Sequence, residues 1–162
     1  MKVFDASEIY RFAIKMEENG EKFYRHAATI TEDDEARYLF NFLADEEVNH
    51  KKIFGELLSK IKTFEPDERY PGEYMEYLRD LLDNRAVFSK KKLDEKFKGV
   101  KSTLSALNFA INREMDSILY YSETKNLVDK SQQKAIEKII EEERRHFAKL
   151  SDFKKDYEKR QG

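Results

Sequence analysis

Apolar side chains recur at spacings of three and four over four long stretches of this chain, which is the period of a helix that turns one face inward. The first stretch covers about residues 6–30, with Ile9, Ala13, Met16, Phe23, Ala27 and Ile30 as its stripe. Asp5 and Glu8 stand in a capping-box pattern at its start. Thr31-Glu32-Asp33-Asp34 reads as a turn leading into a second helix at about 34–62. Its stripe is Ala36, Phe40, Leu43, Glu47, His50, Phe54, Leu57 and Ile61, in strict alternation of four and three. A third helix is expected at about 102–127, with Leu104, Leu107, Ile111, Glu114, Ile118 and Tyr121 in line. A fourth is expected at about 131–157 with Ser131 as its N-cap, and its line is Ile136, Ile139, Glu143, His146, Leu150, Phe153 and Tyr157.

Pro66 and Pro71 interrupt the pattern in the middle of the chain. A short amphipathic piece follows, with Tyr74, Tyr77, Leu78, Leu81 and Leu82 on one side, and then a basic, weakly patterned stretch from Ser89 to Lys101. Residues 63–101 therefore read as a long crossover carrying one short helix. The expectation is an all-α protein: a four-helix bundle in which two helical hairpins are joined by that crossover. At 162 residues the chain suits a single domain with a substantial core.

Polar residues on the apolar lines change the picture. Glu47-Val48-Asn49-His50 and Glu143-Arg144-Arg145-His146 are two copies of Glu-x-x-His, and they use two of only three histidines. Positions i and i+3 share a helix face, so each copy presents a carboxylate and an imidazole to one point. Glu17 and Glu114 lie on the inward faces of the preceding helices. The halves repeat: Glu114 follows Glu17 by 97 residues, and Glu143 and His146 follow Glu47 and His50 by 96. Tyr24 and Tyr121 each stand seven residues after their Glu. Four Glu and two His from four helices make the donor set of a carboxylate-bridged dinuclear metal centre. A core carboxylate costs several kcal/mol or so unless it is paired or bound to metal. No Lys or Arg shares these stripes nearby, so metal is favoured over ion pairing. Glu46 and Glu142 are candidates to accept a hydrogen bond from the imidazoles, while His26 reads as a surface residue.

Composition narrows the function classes. A net charge of -2 with both signs interspersed argues against a nucleic-acid or membrane surface. The chain contains no Cys, which excludes iron–sulfur and thiolate zinc sites. No apolar run approaches the roughly 18 residues of a membrane span, and the N-terminus lacks a signal-peptide core, so a cytoplasmic location is expected. Carboxylate and imidazole donors suit iron or manganese, and zinc could occupy the same site in a purified sample.

The stretches Ala13–Tyr24, Leu43–His50, Ala110–Tyr121 and Ile140–His146 resemble the rubrerythrin branch of the ferritin-like di-iron proteins. The resemblance covers the four bundle helices. It implies a ferritin-like bundle holding two iron ions per chain, with Glu47 and Glu143 bridging. Glu17 and His50 would complete one iron, and Glu114 and His146 the other. It further implies an oxidoreductase that reduces peroxide or dioxygen, in which Tyr24 and Tyr121 donate hydrogen bonds to the carboxylates. A homo-oligomer, a dimer, is expected. The alternative is a ferroxidase, or an iron-binding or iron-storage protein without enzymatic turnover. Two departures stand out. Rubrerythrins usually carry a four-Cys rubredoxin domain; with no Cys here, electrons must come from an external donor such as a rubredoxin or a reductase. They also carry a further Glu three residues beyond the third-helix ligand, where this chain has Ser117.

Overall fold

The computed structural model describes residues 6–61, 76–77, 80–81 and 90–162. Among these residues the chain forms α1 (Ala6–Ile30), α2 (Asp34–Ser59), α3 (Lys90–Lys98), α4 (Thr103–Thr124) and α5 (Lys130–Gln161), a 3-10 turn at Lys125–Leu127, and no strand. Helices α1 and α2 pack as one hairpin and α4 and α5 as the other, and contacts of α1 with α4 and of α2 with α5 close a four-helix bundle. The equivalent helices run antiparallel: Tyr24 of α1 meets Glu114 of α4, while Glu17 meets Tyr121. Among the described residues no helix is long and apolar enough to cross a membrane.

The helix ends are set by local hydrogen bonds. Asp33 caps α2 by accepting from the Ala36 amide at 2.8 Å. Ser102 and Ser105 form a reciprocal capping box at the start of α4. Asp129, not Ser131, is the N-cap of α5: its carboxylate accepts from both the amide and the hydroxyl of Ser131. A carboxylate two residues earlier reaches the free amides and adds a favourable charge at the helix start, which a hydroxyl cannot do. Helix α2 ends at Ser59, short of the expected 62, and α5 continues to Gln161, beyond 157. There Arg160 pairs with Asp33 at 3.3 Å and Glu35 at 3.2 Å, tying the last turn to the head of α2. The Asp5 cap lies outside the described residues.

The crossover differs from expectation. The basic stretch after Ser89 forms α3, while only fragments of the piece at 74–82 (residues 76–77 and 80–81) are described, as helix. Leu93 and Val100 are buried, and the Phe97 ring lies 5.8 Å from that of Phe23. Three apolar residues spaced four and three were enough to seat a helix that its lysines made look unpatterned. Phe97 also stacks on His26, with ring centroids 5.3 Å apart, so His26 is half-buried, not a surface residue.

The core has two apolar parts. One gathers Ile9, Tyr10, Met16, Phe54, Tyr120 and Ile136, and the other Phe23, Phe40, Leu43, Leu107 and Leu150. Each fully buried large side chain contributes on the order of 1.5–3 kcal/mol. Between these parts along the bundle lie the buried Glu and His residues.

Candidate metal centre

Glu17, Glu47, Glu114 and Glu143 are at most 1% exposed, and His50 and His146 are 1% and 4% exposed. The period of each helix delivers them inward, because each replaces an apolar residue on the buried line. One oxygen or nitrogen from each of Glu17, Glu47, His50 and Glu143 gathers within 4.8 Å of the others. A second such group contains Glu114, Glu143 and His146. The structure thus brings all six side chains together, with Glu143 common to both groups.

Glu143 faces both ways. Its Oε1 lies 3.2 Å from His50 Nδ1 and its Oε2 lies 3.3 Å from His146 Nδ1. Each imidazole directs Nδ1 inward and Nε2 outward. His50 Nε2 lies 3.0 Å from Glu142 Oε2, and His146 Nε2 lies 3.7 Å from Glu46 Oε2. The contacts cross between hairpins: each outer Glu serves the histidine of the opposite Glu-x-x-His copy. A proton on Nε2 directed at a carboxylate leaves the Nδ1 lone pair free for a ligand role. The tyrosines cross in the same way. Tyr24 Oη donates to Glu114 Oε1, and Tyr121 Oη donates to Glu17 Oε1.

Among the described residues, four buried atoms of the candidate ligands have no hydrogen-bond partner, Glu17 Oε2, His50 Nδ1, Glu114 Oε2 and Glu143 Oε1, and the Arg113 Nε beside them has none either. The four ligand atoms come one from each of the four bundle helices. Buried polar groups left unpaired are costly, so four convergent orphans of anionic and imidazole type fit a bound cation. The chemistry of the set, carboxylate oxygen with imidazole nitrogen and no sulfur, suits divalent iron or manganese, and zinc can take the same donors.

One partner was not foreseen. Arg113 Nη2 lies 2.8 Å from Glu47 Oε2, and its side chain is only 12% exposed. Sequence periodicity placed Arg113 beside the line of Glu114, not on it, so no cation was expected here. The long side chain reaches in because Gly20 makes room: a Cβ at Gly20 would collide with the guanidinium and lie 2.7 Å from Glu47 Oε2. The missed signal was a glycine inside a 25-residue helix, where it costs about 1 kcal/mol relative to Ala and calls for a packing reason.

Electrostatics follow from this geometry. Burial works against charge on His50, but Glu143 and Glu17 outweigh it and push its pKa up to about 12. His146 is pushed up to about 10 by Glu114 and Glu143, again against burial. Burial and the nearby Glu143 raise Glu114 to about 8. Glu143 itself is held well below the usual range, because Glu114 and the two imidazoles outweigh its burial. Burial raises Glu47 despite Arg113. Burial, then Glu114 and Glu17 respectively, raise the Tyr24 and Tyr121 hydroxyls, so both stay protonated donors.

The rubrerythrin family model matches residues 8–154. The chain belongs to the rubrerythrin family. A solved structure from Thermotoga maritima, described as a ferritin-like diiron-carboxylate protein, is 29% identical, covers 97% of this chain and 99% of its own, and superposes with a TM-score of 0.70. No curated protein matches the sequence. The fold is therefore a ferritin-like bundle, and the chain is a rubrerythrin-family non-haem diiron-carboxylate protein. Ser117, where the family usually has its additional Glu, is buried in α4 at 1% exposure.

Proposed function

We propose that this rubrerythrin-family protein is an oxidoreductase that reduces peroxide at an iron pair, with electrons from an external donor. The observation that supports it most is the set of four unpartnered ligand atoms, one from each bundle helix, at a point flanked by two tyrosine hydroxyls. Glu17, Glu47, His50, Glu114, Glu143 and His146 would hold two ions, iron natively, with manganese or zinc able to take the same donors. Bound as a ferrous pair, the metals supply the two electrons that divide a peroxide O–O bond.

The chain's own groups handle position and protons. Glu143 offers one oxygen to each half and fixes the spacing between them. Glu142 and Glu46 orient the imidazoles from outside. Reduction of peroxide to two waters consumes two protons, and Tyr24 and Tyr121 hold hydroxyl protons against Glu114 and Glu17. The apolar layers above and below exclude bulk water from the polar layer.

A second reading, iron oxidation and handling without turnover, is favoured by two features: the chain has no Cys to relay electrons, and Ser117 stands where the family usually carries its additional Glu. Stopped-flow oxidation of the anaerobic ferrous protein separates the two. The peroxidase reading expects hydrogen peroxide to oxidise the centre faster than dioxygen does. A ferrous centre unchanged by peroxide but oxidised by dioxygen gives the function to iron handling. In that case Ser117→Glu should restore the reaction with peroxide.

A further inference from the structure

The 97-residue offset that relates Glu17 to Glu114 also relates Met16 to Arg113 and Gly20 to Ser117. At these two positions the internal repeat fails chemically. One half has a thioether where the other has a guanidinium, and the niche that receives the guanidinium is a glycine in one half only. The consequence is visible at the carboxylates. Glu143 is free to face both imidazoles, at 3.2 and 3.3 Å. Its repeat mate Glu47 has Oε2 on Arg113 at 2.8 Å and belongs to one donor group only. The first group therefore has four members, Glu17, Glu47, His50 and Glu143, and the second has three, Glu114, Glu143 and His146.

We propose that Arg113, admitted by Gly20, is a specificity-determining residue that makes the two metal positions unequal, so that the His50 position fills first and the His146 position is the weaker and more open one. This rests on the metal-centre reading above. Two physical effects act together. Arg113 withholds a Glu47 oxygen from the His146 position, which lowers its donor number. Arg113 also adds a fixed positive charge, since a guanidinium does not deprotonate in proteins. Four carboxylates would balance two divalent ions; with Arg113 present one positive charge is left over, and the second ion to enter meets it. At a low local dielectric that repulsion is poorly screened.

The test is a metal titration of the full chain with Co2+, anaerobic and followed by calorimetry and by the visible spectrum, for wild type, Arg113→Met, Gly20→Ala and Arg113→Lys. Wild type should bind two ions in two classes whose affinities differ by roughly tenfold or more. Arg113→Met places in α4 the residue that the repeat has in α1, and Gly20→Ala evicts the guanidinium while also crowding Glu47 Oε2. Both should strengthen the weaker class and draw the two together, while Arg113→Lys keeps the charge and should keep two classes. Two ions in a single class in wild type overturn the proposal and leave the metal centre intact. So does a separation that persists in a folded Arg113→Met protein. A wild-type protein that binds no metal overturns the centre itself and the proposal with it.

Discussion

Glu47 and Glu143 hold equivalent places in the two Glu-x-x-His copies, 96 residues apart, and both are buried. Their surroundings are opposite. Glu143 sits between two imidazoles and is held as a carboxylate well below its ordinary pKa. Glu47 faces one guanidinium, and burial still raises it. The same residue on the same helix position thus becomes a central two-sided acceptor in one half and one arm of a buried ion pair in the other. Position on a helix fixes where a side chain points; the neighbouring helix decides what it does there.

The sharpest way to break the comparison is to remove each carboxylate in turn. Glu143→Gln should abolish binding at both positions, because Glu143 belongs to both donor groups. Glu47→Gln should leave about one ion per chain, since the second group lacks it. Metal analysis after dialysis distinguishes the two outcomes, and equal losses would mean that the carboxylates are equivalent after all.

Acidity gives the next contrast. In the metal-free protein, His50, His146 and Glu114 bind protons more tightly folded than unfolded, with pKa values of about 12, about 10 and about 8. Their stabilising contribution is complete below the unfolded values and is lost as pH rises through the folded ones. Metal-free Tm should therefore fall between pH 6.5 and pH 8, because the unfolded chain has released protons there that folded Glu114, His50 and His146 still hold. Divalent metal displaces the same protons, so metal-loaded Tm should exceed metal-free Tm by more at pH 8 than at pH 6. Calorimetric scans of both forms at each pH would show it; a gap that narrows with pH contradicts it. Glu143 has the opposite sign: its contribution is present above the unfolded pKa and is lost only as pH falls well into the acid range.

Smaller effects come from single partners. Arg113→Met leaves Glu47 buried without its cation and should cost roughly 3 kcal/mol in metal-free urea unfolding, less where Glu47 takes up a proton. Tyr24→Phe and Tyr121→Phe each remove one donor from a buried carboxylate and should cost about 1–3 kcal/mol. Because the two tyrosines are repeat mates with crossed partners, their losses should be nearly equal, and a large inequality by urea unfolding would show that the asymmetry of the centre extends beyond Glu47.

Much of this molecule was legible in one dimension. Four apolar stripes gave four helices, since a 3.6-residue period on so charged a chain has few other uses. The same stripes put four Glu and two His on buried lines, because a polar residue at an apolar register must point where its neighbours point. Residues just off the line were harder. Arg113 reaches Glu47 only because its long side chain meets a gap left by Gly20 on another helix, and no property of α4 alone records that gap. The crossed contacts of Tyr24, Tyr121, Glu46 and Glu142 depend on the antiparallel register of equivalent helices. The helix at Lys90–Lys98 depends on Phe97 finding Phe23 and His26. Short-range pattern fixes secondary structure and facing. Pairing across helices is a long-range property, decided when side chains of particular lengths are packed into one shared volume, and it is there that the two halves of a repeated sequence became unequal.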